Sequence, residues 1–275
     1  MKKLTTLILL MTTLFINAQK LEKIKGNKNV ILSERIFEEI NAISLHKNIY
    51  LTLMKGSENK LEIYADDNLH EILESDINNG ELSILLTNRI GSKKKFQLTL
   101  YLADTTLSKI SLYDNSKIEN ADFLKVVDLQ INLFDKSDAN LFLNGKNITI
   151  NINDNAKSNT SLKGQKLICN LQESGKIKGS ANFEDIEIKS NQKSTVTLSG
   201  KAVNLMIEAK NSTNVKLSNL RVENASLLAE NNSNVHVNAT NELVITAESK
   251  SKVYIYSNPT IAIESFRNTA SLFKR

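Results

Sequence analysis

The sequence has 275 residues and a formal net charge of +5 at pH 7, with 35 basic and 30 acidic residues interleaved along the chain. Only Lys93, Lys94 and Lys95 form a basic run, and arginine is scarce. Nucleic-acid surfaces typically need an arginine-rich stripe with aromatic stacking partners, so composition argues against a nucleic-acid partner. A single cysteine excludes an internal disulfide framework.

The segment 1–18 has the pattern of a secretory signal peptide. Lys2 and Lys3 form a positive start, an apolar stretch runs over 4–16, and Ala18 ends a small-residue cleavage site. The apolar stretch is too short for a spanning helix. We therefore expect export to the periplasm, the cell surface or the medium, no membrane span, and a net charge of about +3 once both lysines are removed.

The segment 19–107 shows short strands without a visible repeat. Residues 49–53, 61–63, 82–86 and 98–102 are apolar at every second position, which is typical of half-buried strands. One helix is predicted over Asn68–Glu74, with Asn68 as its N-cap and Glu71 three residues later. A solenoid needs its open edge covered, so we expect this segment to form the N-terminal cap.

Over 108–260 the chain repeats with a period of about 19. The residue that opens the second strand of each unit is an anchor, and successive anchors follow at a nearly constant spacing. A fixed period in this range predicts a solenoid whose units bury their apolar faces only against their neighbours. The anchors are Ile118, Ala139, Ser158, Ile177, Val196, Val215, Val235 and Val253.

Each unit, or rung, has the same plan. Strand one is apolar ten, eight and six residues before the anchor; a polar turn follows; strand two holds the anchor and the apolar residue two beyond it. The small residue two before each anchor should point inward at a tight corner. The sequence thus predicts an all-β chain over 19–275, a single parallel β-solenoid domain with regular rungs at 108–260 and a C-terminal cap at 261–275.

No catalytic or cofactor-binding residues are identifiable from the sequence. One column of acidic residues is a candidate metal site. Four residues before the first four anchors stand carboxylates that stacking would align into a ladder able to bind Ca²⁺. Asp residues in turns also bond backbone amides and need no ion, so both interpretations stay open. The column consists of Asp114, Asp135, Asp154 and Glu173.

The cysteine, the histidines and the aromatic residues are interpreted as structural and do not indicate a site. Cys169 occupies the apolar column of Ile150 and Ile188, which predicts a buried thiol. The three histidines have no metal-binding spacing. Tyrosine and phenylalanine are scattered, and no aromatic platform for stacking sugars is predicted.

The ordered series of segments resembles a bacterial family, the head GIN domain of putative auto-transporter adhesins. The resemblance begins at Phe37–Ile40, continues through 49–56, 61–69 and 77–84, and closes at Val253–Pro259, so it spans about 37–260. It implies a parallel β-solenoid in an exported protein of Bacteroidetes type and transfers no catalytic or ligand residues. The turns here hold one glycine, Gly175, where the family often has several.

Three functions follow as hypotheses. The first is an exported, non-enzymatic β-solenoid that presents its surface for binding, in adhesion to glycans or cell-envelope and matrix polymers. The second is a lyase-like carbohydrate-active enzyme, which the short rung spacing disfavours because such enzymes build sites from long inserted loops. The third is a structural envelope protein without a ligand. Binding is expected on the polar side of strand two, at Thr195, Thr197, Lys216 and His236.

Overall fold

A computed structural model describes residues 22–91, 96–103 and 107–275. The predicted signal peptide and Lys93–Lys95 lie outside these ranges. Strands hold 69% of the chain and helix 2%, which confirms the all-β prediction. The strands are β1 Lys23–Ile24, β2 Val30–Phe37, β3 Ala42–Leu45, β4 Tyr50–Lys55, β5 Asn59–Asp66, β6 Leu73–Asn78, β7 Glu81–Leu86, β8 Arg89–Ile90, β9 Gln97–Leu102, β10 Lys109–Leu112, β11 Lys117–Asn120, β12 Leu124–Leu133, β13 Asp138–Ile152, β14 Lys157–Leu171, β15 Lys176–Asn182, β16 Asp185–Asn191, β17 Thr195–Lys210, β18 Asn214–Ala229, β19 Asn234–Ala247, β20 Lys252–Ile255, β21 Thr260–Phe266 and β22 Ser271–Lys274.

The rungs stack in the parallel register that the repeat predicts. Ile118 pairs with Ala139, and every later anchor pairs with the next one, down to Val235 with Val253. The column eight residues earlier is equally continuous through Cys169 and Ile188. Long strands such as β13 contain strand two of one rung and strand one of the next. The parallel β-solenoid is therefore confirmed.

The core is one continuous apolar cluster that runs the length of the stack. Inward positions are filled by Ile, Leu, Val and Ala, and Ile188 is 0% exposed. Full burial of an aliphatic side chain of this size is worth about 1.5–3 kcal/mol. Because each rung repeats these positions, the stability of a rung depends chiefly on its two neighbours.

The N-terminal part extends the stack in an order that differs from the chain order. β3 and β4 lie in parallel beside β10 and β11, and β7 and β9 lie in parallel on their other side. Regular rungs thus begin before residue 108. The cap proper consists of antiparallel strands, with β5 between β9 and β2, and β6 beside β7. Antiparallel pairing ends the parallel ladder at this end.

The short helix predicted near Asn68–Glu74 is present, with different bounds and a different cap. The structure has a 3₁₀ helix over Asp67–Ile72, and β6 begins at Leu73. Asn68 does not cap it, because its side chain accepts from the Asn27 amide at 3.1 Å and donates to the Lys25 carbonyl at 2.9 Å. Leu69 and Ile72 are buried as expected. Within the described ranges, no helix is long and apolar enough to span a bilayer.

The segment 261–275 is a further rung, which corrects the expected C-terminal cap. β21 pairs in parallel with β19, with an irregularity near Glu264, and β22 pairs with β20. The register was hidden because this rung departs from the apolar pattern: Lys274 occupies the column of the buried Ile255. Ile263 is 52% exposed, whereas its partner Ile245 is 0% exposed, since no further rung within the described residues covers β21.

Candidate functional site

The outward side of strand two forms two columns of side chains in register, which we call the strand-two face. In this face, outward residues alternate with buried ones, as Lys216 does between Val215 and Leu217. Neighbouring strands in a sheet lie about 4.8 Å apart, so each column is a closely spaced ladder. The first column is Lys157, Lys176, Thr195, Asn214, Asn234, Lys252 and Ser271, and the second is Asn159, Lys178, Thr197, Lys216, His236, Tyr254 and Phe273.

The residues singled out from the sequence all lie on this face. Thr197, Lys216 and His236 are consecutive members of the second column, and Thr195 lies in the first. The period-two alternation was sufficient to place them. What it did not predict was the kind of residue that follows them toward the C-terminal end.

That end of the second column is an aromatic ladder. The ring of His236 stacks on Tyr254 with centroids 4.4 Å apart and planes 12° apart, and Tyr254 stacks on Phe273 at 4.9 Å and 14°. The guanidinium of Arg275 lies 5.3 Å from the Tyr254 centroid, a cation–π distance. The Tyr256 hydroxyl lies 3.0 Å from His236 Nδ1.

This ladder corrects the expectation that the aromatic residues are scattered. Successive members are separated in sequence by one rung period, so they become neighbours only when the last rung is counted. The stacked faces of the rings cover one another, and their edges point outward. Both faces of Tyr254 are covered, so this ring presents to a ligand its edge, which carries the positive part of the aromatic quadrupole.

Electrostatics around His236 favour its neutral form. Burial lowers the pKa of His236 below its ordinary 6.5, and the positive charges of Lys216 and Arg275 lower it further. Protonation of His236 would add a positive charge beside those of Lys216 and Arg275, which is unfavourable. At neutral pH the ring is therefore an uncharged member of the ladder.

A second ladder lies where strand one of the first rungs enters the turn. His46 stacks on Tyr113 at 4.5 Å and 3°, and Tyr113 stacks on Phe134 at 5.1 Å and 7°. Sequence reasoning missed this ladder because His46 is distant from Tyr113 in the sequence and lies outside the visible repeat. Each stacked pair contributes about 0.5–1.5 kcal/mol beyond its buried area.

The acidic column lies in the turns as predicted, and the carboxylates of its three aspartates accept hydrogen bonds from backbone amides. Asp114, Asp135, Asp154 and Glu173 all have φ of 56–59°. Asp114 Oδ2 accepts from the Lys47 amide at 2.8 Å, Asp135 Oδ2 from the Asp114 amide at 2.8 Å, and Asp154 Oδ2 from the Asp135 amide at 3.0 Å. Each Asp thus satisfies an amide of the preceding rung in the stack, in a conformation that Asp tolerates well.

The small residues two before each anchor point inward, as expected. Ser116, Ser137, Ser194 and Ser251 are completely buried, and Gly175 is buried with them. A Cβ on Gly175 would lie 2.8 Å from the Ile152 carbonyl oxygen, so this corner has no room for a side chain. The column is therefore part of the packing of the turns and does not form an exposed hydroxyl ladder.

Cys169 and the three histidines lie in separate environments and do not form a common metal or catalytic site. Cys169 is buried, and burial raises the pKa of its thiol to about 12. His46 Nε2 lies 2.8 Å from Ser44 Oγ, and His70 Nδ1 lies 2.8 Å from Ser33 Oγ. Across 22–91, 96–103 and 107–275, no three His, Cys, Asp or Glu residues are arranged to hold a metal ion.

A shallow groove of about 380 Å³ crosses the outward side of strand one. Met206 and Val244 contribute apolar surface to it, and Asp185 and Glu242 line it with polar groups. The Asn204 amide donates to Asp185 Oδ1 at 2.9 Å, which fixes one rim. Unlike the strand-two face, this surface mixes acidic, amide and apolar groups.

Comparison with known proteins assigns this chain to a family. A family model described as "putative auto-transporter adhesin, head GIN domain" matches residues 39–259. No match was found among curated proteins.

Among the solved structures to which this chain is similar are three from two Parabacteroides species. One described as a putative adhesin from Parabacteroides distasonis has a TM-score of 0.71 and 15% identity, covering 92% of this chain and 100% of that one. A putative adhesin from Parabacteroides merdae has a TM-score of 0.67 and 17% identity, covering 92% and 99%. A putative lipid binding protein from Parabacteroides distasonis has a TM-score of 0.67 and 16% identity, covering 92% and 100%. At these identities the likeness shows the fold alone.

Proposed function

The chain belongs to the head GIN domain family, and from this we propose that it is an exported, non-enzymatic β-solenoid that binds glycans or other cell-envelope components in adhesion. The segment 1–18 carries the pattern of a signal peptide, in keeping with export. The adhesin description of the family supports a role in binding at or outside the cell surface.

The observation that carries the proposal is the strand-two face. It is repetitive over many rungs, and its side chains are polar or aromatic. Solenoids use such stacked surfaces to bind extended partners. Repeated weak contacts along one face give avidity without a deep pocket. This favours a polymer over a small molecule.

The geometry favours binding over catalysis. An active site typically brings acid and base groups with opposed pKa shifts into a concave pocket. On this face the groups lie in ladders, and the acidic column of the turns, exemplified by Asp135, is bonded to backbone amides. The short and nearly constant rung spacing also leaves little chain for the long loops of a lyase.

A binding screen tests the proposal. Purified protein is tested on immobilised glycans, matrix polymers and bacterial envelope preparations, beside a double variant Lys216→Ala/Tyr254→Ala. We expect binding that the double variant weakens, because both side chains lie on the strand-two face. The matched control is Lys189→Ala/Thr246→Ala on strand one, which should bind like the original protein.

Two outcomes would overturn the proposal. Failure to bind any surface would favour the structural role without a ligand. Release of unsaturated oligosaccharides from polysaccharides would instead establish the lyase-like alternative.

A further inference from the structure

The strand-two face carries no carboxylate in either of its columns. From Lys157 and Asn159 to Ser271 and Phe273, the members of both columns are lysine, hydroxyl, amide or aromatic residues. Acidic residues return only in the preceding rungs, at Asp138 and Glu119. All five lysines of the face are exposed: Lys157, Lys176, Lys178, Lys216 and Lys252.

Two lysines on the opposite strand are paired, in contrast. On the outward side of strand one, Lys189 lies 2.7 Å from Glu187, and Lys210 lies 2.7 Å from Glu208 and 3.6 Å from Glu230. None of the ion pairs found in the described ranges involves a lysine of the strand-two face. Charge is therefore distributed unequally: glutamates neutralise Lys189 and Lys210 on strand one, whereas the five lysines of the strand-two face have no carboxylate in their own columns.

From this distribution of charge we infer that the strand-two face binds an acidic polysaccharide, a linear polymer whose sugars carry carboxylate groups, laid along the stack. The inference rests on the proposed function and specifies its ligand. Complementary charge along a surface steers and orients a partner. The outward edges of the ring ladder add positive potential beside Lys216 and Arg275.

The intervening residues fit a sugar polymer. Thr195, Thr197, Asn214 and Asn234 lie between the lysines in the two columns. Hydroxyl and amide groups both donate and accept hydrogen bonds, as sugar hydroxyls do. A linear anion can therefore place its charges on the lysines and its hydroxyls on the residues between them.

Nucleic acid is the competing polyanion, and the ladder argues against it. Single-stranded nucleic acid binds where bases stack on free aromatic faces. Here the faces of Tyr254 are covered by His236 and Phe273. The basic residues of the columns are lysines, which lack the planar guanidinium on which bases also stack, and the Arg275 guanidinium already lies against the Tyr254 ring.

The test compares polymers that differ in charge. Binding of purified protein is measured to polygalacturonate, to hyaluronate, to uncharged dextran of similar length and to oligothymidylate. We expect both acidic polysaccharides to bind more tightly than dextran or oligothymidylate. Raising NaCl from about 50 to about 500 mM should weaken that binding about tenfold or more, because exposed charges are screened.

Matched variants localise the effect. Lys178→Gln/Lys216→Gln should weaken binding of the acidic polymers by about fivefold or more, since two exposed charge pairs are lost. Lys189→Gln/Lys210→Gln, on the opposite strand, removes the same charge and should leave binding unchanged. Equal weakening by both variants would show that net charge alone acts, and would overturn the inference.

The remaining outcomes separate the two proposals. If dextran binds as tightly as the acidic polymers and binding still depends on Lys216 and Tyr254, the acidic ligand is wrong and the proposed binding function stands. If oligothymidylate binds most tightly, the ligand class is wrong. If no polymer and no envelope preparation binds, both proposals fail.

Discussion

The ring of Tyr254 lies 4.9 Å from the ring of Phe273, with the two planes only 14° apart. Nothing in the local sequence links these residues. They meet because the parallel register pairs β20 with β22, so the side chain of one rung lies directly over that of the next. Stacking therefore ties the last rung to the body of the solenoid.

Tyr254→Ala should destabilise the protein more than Phe273→Ala. Tyr254 stacks on a ring at each side, whereas Phe273 stacks on one, and each pair contributes about 0.5–1.5 kcal/mol. Urea unfolding should show a loss of about 1–3 kcal/mol for the first variant and about half of it for the second. Tyr64→Ala, an exposed tyrosine outside the ladder, is the control. Equal losses at Tyr254 and Tyr64 would show that the stacking contributes nothing.

Ile188→Asp should destabilise the protein strongly, and Lys189→Asp should not. Ile188 is fully buried, so the change loses about 1.5–3 kcal/mol of apolar burial and adds an unpaired charge to the core. Lys189 is 51% exposed and loses only a surface pair with Glu187. Melting temperatures measure both. Similar shifts would mean that the two residues do not face opposite sides of β16.

Cys169 should resist modification in the folded protein. Burial removes access and raises the pKa of its thiol to about 12, so almost no thiolate exists at neutral pH. A thiol reagent should label the native protein very slowly and the urea-unfolded protein rapidly. Rapid labelling without denaturant would contradict the burial of this column.

Protonation of His236 should oppose folding. Its pKa in the folded protein lies below 6.5, so the unfolded chain binds the proton more tightly. The stability that this residue contributes is therefore complete above its unfolded pKa and is lost as pH falls from about 7 through the folded pKa. NMR titration should give a pKa below 6.5, and His236→Gln should flatten the pH dependence of unfolding in that window. A pKa at or above that value would refute the assigned environment.

Asp135→Ala should cost more stability than Asp135→Asn. The carboxylate accepts from the Asp114 amide, and the residue has a φ of 59°. Ala loses the acceptor and strains the left-handed conformation, for a total of about 2–3 kcal/mol, whereas Asn retains both properties. Thermal unfolding with and without Ca²⁺ completes the test. A calcium-dependent stabilisation lost in Asp135→Asn would show that the column also binds a cation.

Much of the fold was predictable because the repeat determines both the length of each rung and which side chains point inward or outward. The anchors from Ile118 to Val253 pair in the predicted register, and His236 lies on the predicted outward side. Where the apolar repeat weakens, the sequence did not predict the structure, and the reason is physical in each case. Lys274 in an apolar column concealed the last rung, and with it the aromatic ladder. The side-chain bonding of Asn68 depends on Asn27, a contact between distant segments that no local signal encodes.

The rung formed by β3 and β4 lies between two rungs that follow it in the sequence. β7 and β9 cover one side of it, and β10 and β11 cover the other. Because all its strands lie in the first part of the chain, this block can close on itself without the later rungs. Every subsequent rung then meets a completed template on which to add, one period of chain at a time. The out-of-order block at the start is thus suited to seed the growth of the stack.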